Sequence, residues 1–183
     1  TLLGHDVTGA TLGLVGLGRI GKAMAKRASG FEMPILAYSP HLTDEQAAEI
    51  GVERVELNDL LHRADFVSLH CPLTPETRHL INRATLARMK PSAILINTTR
   101  GGVVDQAALY EALTSGIIAG AALDVTDPEP MSADDPLLKL PNLTVVPHVG
   151  SATIGTRGKM AQIAIDNLLA GLNGRSLPHP IGA

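Results

Sequence analysis

Three side chains of different chemistry, Arg100, Glu129 and His148, each stand just beyond an apolar run that reads as a buried strand. Arg100 closes the segment Asn97-Thr98-Thr99-Arg100-Gly101, where a planar guanidinium fork can meet a carboxylate, although an arginine there can equally face water. Glu129 lies in Asp127-Pro128-Glu129-Pro130, a loop stiffened by two prolines that follows a run ending at Asp124. Most acids in such loops are solvent-facing. His148 is held between a proline and a glycine in Pro147-His148-Val149-Gly150-Ser151, a good place for a proton donor, although a lone histidine is more often structural. Reduction of a ketone by hydride needs a proton donor for the developing alkoxide and a cation for the substrate's carboxylate. It also needs a nicotinamide.

The place for one is the run Leu12-Gly13-Leu14-Val15-Gly16-Leu17-Gly18-Arg19-Ile20-Gly21. In a strand–turn–helix that grips a dinucleotide, the first glycine makes the tight turn and the second admits the pyrophosphate. The third lets helix and strand pack closely. The anion then meets the free N–H groups and dipole of a helix N-terminus. A lone pattern of this kind is weak in a chain with 18 glycines, but its context strengthens it. Leu12–Val15 reads as a buried strand, and Ile20, Met24, Ala28 and Phe31 fall on one apolar helix face. The next strand ends at Tyr38-Ser39-Pro40-His41, where an acid commonly holds the ribose hydroxyls. Ser39 can bond a hydroxyl or a phosphate, and no carboxylate there would repel a 2′-phosphate. The cofactor is therefore NAD or NADP, with Ser39 and a protonated His41 inclining the site to NADP.

The elements that must carry these residues follow from the pattern of apolar runs. Strands are expected at 12–15, 35–38, 65–70, 93–96, 118–125 and 143–146. Helices are expected after the glycine turn and at 43–50, 56–64, 82–89, 105–114 and 151–172. Met160, Ile163, Ala164, Leu168 and Leu172 should lie on one side of the last helix. Residues 1–11 form a polar lead-in. Strands that alternate with helices and are apolar on both faces specify an α/β fold, a doubly wound parallel sheet of about six or seven strands with helices on both faces. Ligands bind beyond the carboxyl ends of such strands, which is where the residues above stand.

Composition agrees: hydrophobic residues make up 45% and aromatics 2% of the 183 residues, so the core is built of Ala, Val, Ile and Leu. A net charge of −3 offers no electrostatic case for nucleic acid or an anionic membrane. No apolar run is long enough to span a bilayer, and no leader pattern precedes the first strand. The single cysteine, Cys71, rules out an internal disulfide and fits a cytoplasmic setting. The chain opens on Thr1 rather than Met, as expected of an excised, processed or incomplete piece.

Taken together, the Gly16–Gly21 run, Asn97–Gly101, Leu123-Asp124-Val125 with Asp127–Pro130, and Pro147–Thr153 resemble the D-2-hydroxyacid dehydrogenase family in order and spacing, over nearly the whole chain. The stretch Leu123–Pro130 and Gly150-Ser151-Ala152-Thr153 are most similar to the glyoxylate/hydroxypyruvate reductases of that family. The resemblance implies a Rossmann-like domain over 1–183 that transfers hydride between NAD(P)H and a short 2-oxo acid, giving the D-2-hydroxy acid. It implies that Arg100 binds the substrate carboxylate, that His148 is the acid/base, and that Glu129 bonds and orients His148. Arg19 and Ile20 would cover the pyrophosphate held by Gly16, Gly18 and Gly21. Ser39 would stand at the ribose, Cys71, Pro72 and Thr77 at the adenosine half, and Thr98, Thr99, Asp124, Gly150 and Ser151 at the nicotinamide half. The resemblance also implies a substrate-binding domain, absent from this chain, and homodimers in full-length members, so the isolated chain is expected to bind dinucleotide with little turnover. Phosphoglycerate and phosphite dehydrogenases are alternatives within the family. A formate dehydrogenase fits less well, since that branch resembles Gln at the position of Glu129. The dinucleotide-sensing C-terminal-binding corepressors are an alternative of another class.

Overall fold

A computed structural model describes Gly4 and residues 6–180; the rest of the polar lead-in and the last three residues lie outside the described part. Two compact units divide the chain, Thr1–Pro147 and His148–Ala183. The first holds a seven-stranded, wholly parallel sheet: β1 (Leu12–Val15), β2 (Ile35–Tyr38), β3 (Glu53–Arg54), β4 (Phe66–Leu69), β5 (Ile94–Asn97), β6 (Gly120–Leu123) and β7 (Leu143–Val145). The order β3-β2-β1-β4-β5-β6-β7 reverses direction between β1 and β4, which opens a crevice at their carboxyl ends. Five helices connect the strands: α1 (Arg19–Ala28), α2 (Asp44–Glu49), α3 (Leu57–Arg63), α4 (Arg83–Leu86) and α5 (Gln106–Thr114). The second unit carries α6 (Ile154–Leu172).

The strands are apolar on both faces because both are covered. Leu12, Leu14, Ile35 and Ala37 pack with Ala25 and Ala28 of α1 in one core, whereas Val15, Leu36, Val67 and Leu69 pack with Leu60 and Leu61 of α3 in the other. The starts of α2 and α5 are capped by side chains. Thr43 and Gln46 form a capping box at α2, and the Asp105 carboxylate accepts from Ala107 N and Ala108 N, both at 3.1 Å, at α5.

Two expectations are corrected. The buried face of α1 is Gly21, Ala25 and Ala28, while Ile20 and Phe31 are exposed; a helix laid this close to a strand needs small residues at the contact. The last turn of that segment, Ser29–Phe31, is a 3₁₀ turn outside the helix. The last helix forms as α6, and its Met160, Ile163, Leu168 and Leu172 are exposed. Edge strand β3 goes unmarked by hydrophobicity, because its Glu53 and Arg54 are both exposed.

Candidate active site

The turn after β1 is shaped by two contacts that admit no side chain. Gly16 has φ +97°, and a Cβ there would lie 2.6 Å from Cys71 N and 2.7 Å from the carbonyl carbon of His70. A Cβ on Gly21 would run into the Gly16 carbonyl oxygen. The turn is thereby pressed against the exit of β4 and under the start of α1, and its register is fixed by Gly16 N donating to Tyr38 O at 2.8 Å and His70 N to Val15 O at 2.7 Å. Gly18, the N-cap of α1, behaves differently. It is extended (φ −73°, ψ −163°), its cap position carries no side-chain bond, and a Cβ would meet nothing within 4 Å. With no acid in the first turn of α1, the space beside Gly18 favours an anion.

Two cavities in the first unit flank this turn. One, of about 590 Å³, is lined by Gly16, Gly18, Ser39, Cys71, Pro72 and Thr77. The other, of about 780 Å³, is lined by Arg19, Ile20, His70, Thr98, Thr99 and Arg100. His70, Cys71 and Pro72 form a wall common to both, so one elongated ligand can run from Ser39 past the turn to Arg100. Each volume is of the size that small-molecule sites occupy.

The exit of β5 is braced from beneath. Asn97 is fully buried; its Nδ2 donates to Arg100 O at 2.9 Å and its Oδ1 accepts from Thr99 N and Thr99 Oγ1, both at 3.0 Å. Arg100 is exposed and its guanidinium donates to Thr99 O at 2.7 Å, which leaves its other N–H groups for a ligand. Asp124 is buried at the exit of β6, its backbone N donating to Asn97 O at 2.9 Å, and Glu129 is exposed in the loop that follows. Neither lines the two cavities, and Gly21 serves packing rather than lining.

His148, Gly150 and Ser151 belong to the second unit, in a turn that leads into α6. There His148 is exposed with φ +52°, Ala152 N donates to Val149 O at 2.8 Å, and Thr153 caps the helix by accepting from Thr156 N at 3.1 Å.

One residue of the crevice was not singled out in the sequence. His70 follows β4, touches both cavities, and sets Nε2 3.0 Å from Ser68 Oγ, while its buried Nδ1 has no protein partner. Burial pushes its pKa below the ordinary imidazole value, so the ring is neutral near pH 7. The strand-end rule that selects Arg100 and His148 also reaches His70. Burial likewise raises the Cys71 thiol. Among the described residues, no group of three or more His, Cys, Asp or Glu is arranged to hold a metal ion. No helix among them is long and apolar enough to cross a membrane.

Residues 1–150 match the model of the D-isomer specific 2-hydroxyacid dehydrogenase NAD binding domain. The chain belongs to this family. Among 2-hydroxyacid dehydrogenase relatives it is 54% identical over 178 residues to a glyoxylate reductase of Korarchaeum cryptofilum, an alignment that takes in 97% of this chain and 54% of that protein. It is 51% identical over 172 residues to a glyoxylate/hydroxypyruvate reductase B of Pectobacterium carotovorum, covering 93% of this chain and 54% of the relative. Of solved structures, the TT0316 protein from Thermus thermophilus superimposes with a TM-score of 0.89 at 51% identity, over 98% of this chain and 56% of that one. The NAD complexed form of a D-isomer specific 2-hydroxyacid dehydrogenase from Lactobacillus delbrueckii gives a TM-score of 0.86 at 32% identity, over 98% and 58% of the two chains. The chain thus spans about half the length of the curated relatives it matches. The parallel sheet, the glycine turn and the strand-end loops are those of a dehydrogenase NAD binding domain.

Proposed function

We propose that this chain is the NAD(P)-binding half of a 2-hydroxyacid dehydrogenase that reduces a short 2-oxo acid, glyoxylate or hydroxypyruvate, to the D-2-hydroxy acid. The observation that carries the proposal is the second cavity, whose lining joins Arg19 and Ile20 at the start of α1 to Thr98, Thr99 and Arg100 at the end of β5. A dinucleotide anchored on the glycine turn and a carboxylate held by Arg100 would then share one space. The residues fit that ligand: Gly18 leaves room for a pyrophosphate, the first-turn amides of α1 can donate to it, and the shared wall is uninterrupted. The names of the glyoxylate reductase relatives support the substrate class.

When bound, the nicotinamide supplies or accepts the hydride. Arg100 pairs its fork with the substrate carboxylate and fixes which carbon faces the ring. His148 gives a proton to the carbonyl oxygen as hydride reaches the carbon, and takes it back in the reverse direction. Glu129 is the carboxylate we assign to orienting that imidazole. Thr98, Thr99, Asp124, Gly150 and Ser151 flank the nicotinamide half, and Ser39, Cys71, Pro72 and Thr77 the adenosine half.

Ser39 admits either cofactor. His41 beside it favours a 2′-phosphate, whereas Glu76 on the same cavity opposes one, and no Lys or Arg contributes to that lining. A substrate-binding domain outside this chain would complete the pocket and exclude water. The lone buried thiol, Cys71, supports a reducing, cytoplasmic setting.

The test has two parts. NADH and NADPH are titrated against the 183-residue chain by nicotinamide fluorescence, and hydroxypyruvate reduction is assayed with and without a substrate-binding domain. Saturable dinucleotide binding with turnover only in the longer protein is expected. No saturable binding, or near-normal turnover by the isolated chain, contradicts the reading. Binding without turnover in either protein points instead to a dinucleotide sensor.

A further inference from the structure

The loop that carries Glu129 lies outside the sheet, yet one residue of it is gripped on both backbone groups. Gln106, the first residue of α5, donates from Nε2 to Asp127 O at 2.9 Å and accepts at Oε1 from Asp127 N at 2.8 Å. Its carboxamide is free to do so because Asp105 already caps the helix. A side chain that satisfies the N–H and the C=O of one residue imitates a neighbouring strand, and it fixes that residue in both rotation and translation. No acid of similar length can do both, since a carboxylate has no donor.

The same stretch is held from its other side by the loop that carries Arg100. A Cβ on Gly101 would run into the Thr126 carbonyl group and lie 2.5 Å from Asp127 N, so the two loops touch backbone to backbone. Arg78 adds an ion pair to Asp127 Oδ2 at 3.7 Å, and Thr126 Oγ1 donates to Pro128 O at 2.9 Å. Glu129 lies two positions beyond the gripped residue. The strand-end loops of β5 and β6, which bear Arg100 and Glu129, are therefore registered on each other, with Gln106 as the clasp.

We propose that Gln106 is a positioning residue: by clasping Asp127 it fixes the loop that bears the Glu129 carboxylate. The inference rests on the reading of Glu129 as the carboxylate that orients the proton donor. Loosening the clasp lets that carboxylate wander, and the proton donor is then less often in position when hydride arrives. The loss falls on kcat, while KM for the substrate, whose carboxylate is assigned to Arg100, holds. Cofactor affinity does not change, because Gln106 and Asp127 touch neither cavity.

The experiment compares wild type, Gln106→Ala, Gln106→Glu and Glu129→Gln in the full-length enzyme, with kcat, KM for hydroxypyruvate and the NADH dissociation constant as readouts. Gln106→Ala is expected to lower kcat about tenfold, as a small misplacement near the reacting groups does. Its KM for hydroxypyruvate and its NADH dissociation constant are expected to stay within about twofold of wild type, the same split as in Glu129→Gln. Gln106→Glu, which retains the acceptor and loses the donor, falls between. Amide exchange at Asp127 is read in the same variants and rises in Gln106→Ala. A lowered kcat in Glu129→Gln beside a wild-type kcat in Gln106→Ala overturns the inference alone, as does unchanged exchange at Asp127. A wild-type kcat in Glu129→Gln overturns the reading of Glu129 and the inference with it.

Discussion

Gly16 and Gly18 are two positions apart, and their environments predict opposite consequences for the same substitution. Alanine at Gly16 would have to adopt φ +97°, which costs about 1–3 kcal/mol for a residue with a Cβ. Its Cβ would also stand 2.6 Å from Cys71 N and 2.9 Å from Cys71 Cα, both backbone atoms that cannot rotate away. Prising β1 and β4 apart at their exits adds about 1–3 kcal/mol, the usual cost of overpacking. At roughly 2–4 °C per kcal/mol for a chain of this size, Gly16→Ala should lower Tm by roughly 5–20 °C. Alanine at Gly18 meets nothing within 4 Å, and φ −73° suits it, so stability should hold or rise by about 0.4–1 kcal/mol. Its methyl group would occupy the space through which a pyrophosphate approaches the first-turn amides. Losing one charge-assisted bond of about 1.5–3 kcal/mol weakens NADH binding by about 10–100-fold. Thermal unfolding and NADH fluorescence titration of the 183-residue chain read the two effects separately. A Gly18→Ala chain that binds NADH like wild type, or a Gly16→Ala chain as stable as wild type, would refute the account of the turn.

Three further outcomes follow from other parts of the structure. His70 is neutral when folded because burial depresses its pKa, while in the unfolded chain it titrates at its ordinary value of about 6.5. The unfolded state therefore binds the extra proton first as pH falls. Stability should decline below about pH 6.5, by up to about 1.4 kcal/mol per pH unit, until the folded pKa is passed. Urea unfolding from pH 7.5 to 5 should show a shallower decline in His70→Asn, and an unchanged slope would remove His70 as the cause. At the opposite end of the sheet, Asp65 accepts from Thr11 N at 2.8 Å and from Lys90 Nζ at 2.7 Å. Asp65→Ala should cost about 1–3 kcal/mol of stability by leaving these donors unpaired, with NADH affinity unchanged; a loss of affinity at full stability would contradict that separation. Arg100→Lys keeps the charge and loses the fork, so KM for hydroxypyruvate in the full-length enzyme should rise about 10–100-fold at unchanged NADH affinity. An unchanged KM would take the substrate carboxylate away from Arg100.

The strands were legible because a sheet covered on both faces demands continuous apolar runs, and the strand-end rule then pointed to Arg100, Glu129 and His148. What escaped the sequence depends on proximity in space. β3 is a strand by virtue of its backbone pairing with Leu36 and Ala37, and its exposed Glu53 and Arg54 give no period to read. The face of α1 was misjudged because hydrophobicity favours Ile20 and Phe31, whereas close approach selects Gly21, Ala25 and Ala28. Ile20 is instead exposed on the wall of the second cavity. Gln106 offers no sequence signal, since its function is set by a loop 21 positions away. His70 did carry one, standing where β4 ends, yet its contact with both cavities depends on the turn at Gly16 pressing against it.

The central claim is that a proton from His148 completes hydride transfer by a dinucleotide held on the Gly16–Gly21 turn. Its most direct test is pre-steady-state reduction of hydroxypyruvate by the full-length enzyme bearing His148→Ala, with NADH affinity measured on the same protein. The account predicts that NADH binds within about twofold of wild type while the hydride-transfer rate falls by about 10²–10⁴-fold. A hydride-transfer rate equal to wild type would contradict it.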